Sequence, residues 1–115
     1  MNAKDIFDTL LPKKLEANPS LFAALGVKNE GVRLELDGAQ GGDWTIAFDA
    51  TGACRVQKNA SGGAACHIQM SDENFEKLLA GKLNVPMALM TRKIKVNGDK
   101  GLALKVGEGL RTALR

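Results

Sequence analysis

Apolar and polar residues follow two different periods along the chain, and each period predicts one kind of element. Near the N-terminus Ile6, Phe7 and Leu10 recur at helical spacing and predict an amphipathic helix. Pro12 should kink or restart that helix, because proline lacks the backbone donor that a helix interior needs. A second short helix is predicted over residues 20–25, after an Asn-Pro start and before a glycine.

From residue 31 the period falls to two, which is typical of half-buried strands. Apolar residues alternate with charged ones over 31–38, and Trp44, Ile46 and Phe48 alternate with Thr45 and Ala47 over 44–48. Two further strands are predicted over 53–58 and 65–70, each bounded by glycine-containing turns, including one at 59–63. Because the connections are short, these four strands are expected to form an antiparallel meander.

The helical period returns after residue 70. Ser71 should cap a helix that ends near Gly81, and Asn84 should begin another. A fifth strand is predicted around 94–96 and a final helix over 102–113. This order predicts one domain over residues 1–115, of the α+β class, with a five-stranded, mostly antiparallel sheet and helices on one of its faces.

Charge is distributed unevenly along the chain. Residues 1–76 carry seven Lys/Arg against eleven Asp/Glu, whereas residues 77–115 carry nine against two. The basic part suits an anionic membrane surface, an acidic head group or a nucleic acid. The chain has four Phe, one Trp and no Tyr, so it offers little for stacking on bases, and no nucleic-acid partner is predicted.

The residues that could perform catalysis do not form a recognisable site. Cys66 and His67 are adjacent in a predicted strand, so their side chains point to opposite faces and cannot act as nucleophile and base. Cys54 and Cys66 are expected on neighbouring strands, where they are best explained as small buried residues, since two thiols and one histidine make a poor zinc set. We predict no enzyme activity, no metal and no cofactor.

Methionine and leucine are concentrated between residues 83 and 106, beside several lysines. Met87 and Met90 could be ordinary core residues, or they could form a surface that adapts to flexible apolar ligands. The chain shows neither a signal-peptide pattern nor an apolar run long enough for a membrane span, so a cytoplasmic protein with reduced thiols is expected.

The run from Cys66 to Val106 resembles the sterol carrier protein 2 domain. It contains the pattern C-x-I-x-M at 66–70, D-x-x-F-x-x-L-x-x-G-K at 72–82, an Asn-Val-Pro helix start at 84–86, and K-I-K-V-x-G-D at 93–99. The C-terminal residues 113–115, Ala-Leu-Arg, differ from the Ser-Lys-Leu type of peroxisomal address.

The resemblance implies non-catalytic lipid binding or transfer in an apolar tunnel between the sheet and the helices, with sterols, fatty acids, fatty acyl-CoA or phospholipids as ligands. Carried onto this chain, it nominates eleven ligand-binding residues: Trp44, Ile46, Phe48, Phe75, Leu79, Val85, Met87, Met90, Ile94, Leu102 and Val106. Lys93 and Lys95 should point away from the tunnel and are candidates for transient contact with an anionic membrane. The alternative is a structural or protein-interaction domain that keeps the fold without carrying lipid.

Overall fold

The computed structural model describes residues 2–58 and 64–113, in which helices cover one face of a five-stranded sheet. The helical elements are α1 (Ala3–Asp5), a π-helical segment (Ile6–Leu10), α2 (Leu11–Ala17), a 3-10 segment (Ala23–Leu25), α3 (Asp72–Leu79), α4 (Val85–Met90) and α5 (Lys100–Ala113). The strands are β1 (Gly31–Asp37), β2 (Gly42–Phe48), β3 (Cys54–Lys58), β4 (Cys66–Ser71) and β5 (Ile94–Gly98). The predicted α+β class with a mostly antiparallel sheet is confirmed.

The strand order across the sheet is β3-β2-β1-β4-β5. Strand β1 pairs with β4 in parallel, and the other three pairings are antiparallel. The predicted four-strand meander is therefore wrong at its last step, since β4 lies beside β1 and not beside β3. Alternation fixes which face of a strand is buried but not which neighbour the strand pairs with. The turn predicted at 59–63 lies outside the described residues.

Apolar side chains of all five strands share one face of the sheet. In the registers, Val32 lies opposite both Ile46 and Cys66, and Ile68 lies opposite Val96. The side chains of β1, β2 and β4 on this face are almost fully buried. The face must therefore be covered by other elements, and all the long helices are on this side.

The opposite face of the sheet is polar. The Arg33 guanidinium donates to both carboxylate oxygens of Asp43, with the Nε–Oδ1 distance at 3.0 Å, and this bond holds the pKa of Asp43 below its ordinary value. On the neighbouring strand Gln69 donates to Glu35 over 3.2 Å, and the His67 ring nitrogen Nε2 lies 3.2 Å from the same carboxylate. These cross-strand pairs satisfy the polar side chains of a half-exposed face.

The N-terminal helical elements cover the half of the apolar face formed by β1, β2 and β3. The Phe7 ring stacks on Trp44 with centroids 4.9 Å apart, and it also contacts Phe75 at 5.2 Å. The Trp44 indole donates to Asp8 over 2.8 Å, and Lys58 donates to the same carboxylate over 3.1 Å. Burial alone would raise the pKa of Asp8, but these two hydrogen bonds hold it below its ordinary value.

The interruption predicted at Pro12 takes the form of the π-helical segment directly before it. The amide of Leu11 donates to the carbonyl of Ile6, a wider loop than in an α-helix, and α2 then begins with Pro12 in its first turn. The second predicted helix, over 20–25, is reduced to the 3-10 segment. Its amides donate three residues back, and Gly26 closes it in the left-handed conformation, φ 72°.

The parallel pairing of β1 and β4 brings their C-terminal ends to the same edge of the sheet. Asp72, which follows β4, accepts backbone hydrogen bonds from Gln40 at 2.9 Å and Glu73 at 2.8 Å. Gly38 leaves the room for this carboxylate, because a Cβ built there would lie 2.2 Å from it. The turn after β1 is thereby fixed to the start of α3.

The predicted caps of the later helices are confirmed. Ser71 accepts from the amide of Asn74 at 3.0 Å, and Asn84 accepts from the amide of Met87 at 3.1 Å. Asp99 plays the same part for α5 by accepting from Leu102 at 3.0 Å. Helix α5 then runs along the apolar sheet face and contacts β1, β4 and β5.

Replacing Phe7 by alanine should lower the free energy of unfolding by about 3–5 kcal/mol, because the ring fills the space between Trp44 and Phe75. Chemical denaturation followed by the fluorescence of Trp44, the single tryptophan, measures the change. Lys13→Ala, at an exposed position of α2, is the control and should change stability by no more than ~0.5 kcal/mol. A Phe7→Ala protein as stable as this control would show that the N-terminal helix is not packed as described.

Candidate functional site

A cavity of about 220 Å³ lies between the apolar sheet face and helices α3, α4 and α5. It occupies the half of the sheet formed by β1, β4 and β5, on the far side of Phe75 from the N-terminal helix. Its walls are Leu34, Ile68, Met70, Phe75, Leu78, Val85, Leu89, Ile94, Val96, Lys100, Ala103, Leu104, Val106, Gly107, Glu108 and Leu110. Fourteen of these sixteen residues carry no charge, so the cavity can hold an apolar compound.

The floor of the cavity is part of the sheet and follows from strand alternation. Ile68 lies opposite both Leu34 and Val96, while Met70 lies opposite Ile94. The buried members of this floor are Leu34, Ile68, Met70 and Ile94, whereas Val96 is half-buried. The floor is consequently continuous with the hydrophobic core and is rigidly held by the sheet.

The roof of the cavity is α5, and it is the small residues of α5 that leave the space open. Ala103 and Gly107 both line the cavity. A Cβ built on Gly107 would meet no atom within 4 Å, whereas one built on Gly109 would lie 3.0 Å from Leu25. Gly109 is thus closely packed against Leu25, whereas Gly107 faces open space. A glycine inside a helix lowers stability by up to ~1 kcal/mol relative to alanine. At position 107 no close packing explains why glycine is present.

Two charged residues, Lys100 and Glu108, complete the lining. They are separated by eight residues of α5, which corresponds to about 12 Å along the helix axis. The cavity therefore has a positive end, near the first turn of α5, and a negative end two turns further on. An amphiphile with an acidic head would be favoured in one orientation only.

The structure brings together four of the eleven residues nominated from the sequence. Phe75, Val85, Ile94 and Val106 line the cavity. The remaining seven are placed elsewhere, as follows: Trp44, Ile46, Phe48 and Leu102 in the core, Leu79 half-buried against it, and Met87 and Met90 exposed. The three β2 residues lie away from the cavity because the parallel β1–β4 pairing puts β2 in the half of the sheet that the N-terminal helix covers.

Several lining residues were not nominated from the sequence. Ile68 and Met70 alternate with polar residues in β4, and Val96 follows Ile94 by two, so periodicity already placed them on the correct face. Gly107 and Ala103 had no such signal, because nothing in a sequence indicates that a small residue borders empty space.

A second cavity, of about 270 Å³, lies on the other flank of α5. Its walls are Leu21, Phe22, Ala24, Leu25, Glu108, Gly109, Thr112 and Ala113. Of these only Phe22 is buried, and no strand contributes to it. It is a shallow surface groove, and we regard the cavity over the sheet as the candidate site despite its smaller volume.

The thiols and the histidine lie outside the cavity. Cys54 and Cys66 are buried and unbonded, and three strand positions separate them, which is about 14 Å at the usual spacing of ~4.8 Å. The expectation that they occupy neighbouring strands was wrong for the same reason as the meander. Burial raises the pKa of each thiol to about 11. His67 is on the opposite, polar face with Glu35.

Within residues 2–58 and 64–113, no group of three or more His, Cys, Asp or Glu side chains is arranged to hold a metal ion. No helix in the same part of the chain is long and apolar enough to cross a membrane.

Comparison with known proteins shows which proteins this chain is similar to. The model of the SCP-2 sterol transfer family matches residues 7–111. The structure of the sterol carrier protein domain 2 of Helicoverpa armigera has 27% sequence identity and a TM-score of 0.65, and the match covers 98% of this chain and 92% of that one.

Two longer relatives share part of the sequence. Hydroxysteroid dehydrogenase-like protein 2 of Bos taurus is 34% identical over 74 residues, which is 64% of this chain and 18% of that protein. Sterol carrier protein 2 of Homo sapiens is 37% identical over 71 residues, which is 61% of this chain and 13% of that protein. The matched region is thus a small part of the length of these relatives.

Neither thiol should react with a water-soluble disulfide reagent at pH 8 while the protein is folded, because both are buried and their raised pKa keeps them protonated. Both should react at once in denaturant. Because the unfolded chain loses these protons first, near its ordinary thiol pKa, the stability contributed by the protonated thiols is present below that pH and declines towards pH 11. Rapid stoichiometric labelling of the native protein at pH 8 would contradict the described burial.

Proposed function

The chain belongs to the SCP-2 sterol transfer family, whose members bind and transfer lipids, and from this we propose that it carries one lipid molecule in the cavity beneath α5 without changing it chemically. The observation that carries the proposal is an apolar space over the buried sheet face, kept open by Gly107. Binding there needs no covalent chemistry, and neither the two thiols nor the histidine belongs to the lining of the cavity.

The size of the cavity favours a lipid with a single narrow chain. Small-molecule sites usually have volumes of ~300–1,000 Å³, and this cavity, at about 220 Å³, lies below that range. A fatty acid or the acyl part of a fatty acyl-CoA could enter by modest movement of α4 and α5. A sterol or a two-chain phospholipid would require a larger separation of these helices from the sheet, and we propose these as weaker ligands.

Free energy also favours a filled cavity. At ~24 cal/mol per Å³, an empty apolar space of about 220 Å³ would cost roughly 5 kcal/mol, which equals the lower end of the usual stability of a domain, ~5–15 kcal/mol. This coefficient comes from truncated cores and is an upper bound for a natural cavity that water can enter. Each methylene buried by a ligand returns ~0.8 kcal/mol, so an acyl chain of moderate length offsets the cost.

The charges at the two ends of the cavity define an orientation for an acidic lipid. We place a carboxylate or phosphate head at the Lys100 end, where the first turn of α5 adds its positive dipole. The chain then runs towards Gly107 and Leu110, and Glu108 repels a head group bound in the reverse sense.

A panel of lipids added to the delipidated protein tests the proposal. Palmitic acid, palmitoyl-CoA, a phospholipid and cholesterol would be compared by thermal unfolding. A ligand present at 100 times its Kd stabilises the folded state by ~2.7 kcal/mol, which corresponds to a rise in Tm of roughly 10 °C for a domain of this size. We expect the largest shift from the single-chain lipids. The absence of a shift with every lipid would contradict lipid carriage and favour the alternative, an interaction domain.

Gly107→Leu should weaken the binding of palmitic acid at least about tenfold, because the new side chain enters the cavity and removes contacts worth several methylenes. The unliganded variant should be as stable as the native protein or up to ~1 kcal/mol more stable, since leucine is the better helix former. Titration calorimetry and thermal unfolding measure the two effects.

Gly101→Leu provides the matched control for this variant. Gly101 is also in α5 but is exposed and does not line the cavity, so the same substitution should leave the affinity within about twofold. Equal affinity of the Gly107→Leu and native proteins would show that the ligand binds somewhere else.

A further inference from the structure

Helix α4 has no charged or strongly polar side chain at any position, although it lies on the surface. Its sequence is Val-Pro-Met-Ala-Leu-Met. Ala88 is buried against the fold, and Val85 and Leu89 line the cavity, while Met87 and Met90 point outwards with exposed fractions of 55% and 81%. A helix that is apolar on every side is typical of a buried or membrane-contacting position, and nothing in the described residues covers this one.

The exposed apolar side chains of α4 continue onto α5. The large hydrophobic residues that are exposed in the described structure are Met87, Leu89, Met90 and Leu104, which we call the methionine patch. Leu89 and Leu104 also line the cavity. The patch and the cavity therefore share two residues, one on α4 and one on α5, and a lipid leaving between these helices would pass them.

Positive charge borders the patch, and negative charge is absent from the same stretch. Residues 77–98 contain five Lys/Arg and no Asp or Glu. Lys82 comes shortly before α4, and Arg92 and Lys93 follow it. All three are exposed, and none forms an ion pair within the described residues.

The chain turns sharply after α4, which keeps these charges beside the patch. Arg92 adopts the left-handed conformation, φ 61°, and the amide of Lys93 donates to the carbonyl of Ala88 over 2.8 Å. Lys95, by contrast, lies opposite Gln69 on the polar face of the sheet. Of the two lysines nominated from the sequence, only Lys93 is next to the patch.

We propose that the methionine patch is the surface by which this protein docks on an anionic lipid bilayer, with Met87, Met90 and Leu104 entering the interface and Lys82, Arg92 and Lys93 contacting acidic head groups. Exposed apolar side chains can insert among the lipid chains, and the basic residues beside them can pair with anionic head groups, so the surface suits an anionic bilayer. Direct passage of lipid between the bilayer and the cavity through the patch rests on the proposed function. Docking itself does not depend on that function, since it uses the outer side of α4.

Two double variants separate the apolar from the electrostatic part of docking. Met87→Gln/Met90→Gln keeps side-chain length but removes apolar surface, and Lys82→Gln/Lys93→Gln removes two charges. Cosedimentation with phosphatidylcholine vesicles, with and without phosphatidylserine, measures partitioning. We expect the methionine variant to lose at least about tenfold in partitioning and the lysine variant about fivefold per charge at low salt, where each Lys near an anionic surface contributes ~1 kcal/mol.

Lys4→Gln/Lys13→Gln is the matched control, because it removes the same charge from exposed positions of the N-terminal helix. It should bind vesicles containing phosphatidylserine as the native protein does. An equal loss in this control and in the lysine variant would overturn the proposal, since net charge or the N-terminal helix would then account for binding.

Three further measurements keep the outcomes distinct. Thermal unfolding must show that each variant is folded, and the affinity for palmitic acid in solution should be unchanged in the methionine variant. If the native protein binds palmitic acid but not vesicles, the docking proposal is wrong and the proposed lipid carriage is unaffected. If it binds vesicles but none of the lipids in solution, lipid carriage is wrong and docking is supported. If native size-exclusion chromatography shows an oligomer that the methionine variant dissociates, the patch is a protein interface and the proposal fails.

Discussion

The structure depends on the need to cover one apolar face of a five-stranded sheet, and the two halves of that face are covered unequally. Over β1, β2 and β3 the N-terminal helix packs closely, with Phe7 stacked on Trp44. Over β1, β4 and β5 the helix α5 leaves a cavity of about 220 Å³. Phe75 lies between the two regions, because it contacts Phe7 on one side and lines the cavity on the other. The filled half supplies the stability that allows the other half to remain open.

Gly107 of α5 both weakens the helix and leaves room for the cavity. Helix stability would favour alanine or leucine at position 107, and the surrounding space would accept either side chain. Glycine at position 107 is therefore a residue that lowers helix stability without a packing reason, and residues of this kind concentrate at functional sites. The outward side of α4 is a second such feature, since exposed methionine and leucine side chains do not stabilise the fold of an isolated domain. Gly107 lines the cavity, and α4 supplies part of its wall.

Much of the fold could be predicted from the sequence because local physics determines it. Alternation placed Ile68 and Ile94 on the buried face, and the side chains of Ser71 and Asn84 cap the helices where capping preference put them. Strand pairing could not be predicted, because the β1–β4 contact joins segments distant in sequence. The cavity could not be predicted either, because it depends on the missing side chain of Gly107, and hydrophobic periodicity does not indicate where a small residue borders empty space.

We propose that an acyl chain occupies the space between α5 and the β1–β4–β5 half of the sheet. Methyl NMR spectra recorded with a fatty acid that carries a nitroxide on its chain test it directly, since the spin label broadens only nearby resonances. We predict the strongest broadening for the methyl signals of Leu34, Ile68 and Val106, and weaker broadening for Ile6 and Ile46 beneath the N-terminal helix. Broadening centred on Ile6 and Ile46 would show that the acyl chain binds elsewhere, and no broadening at saturating ligand would show that it does not bind.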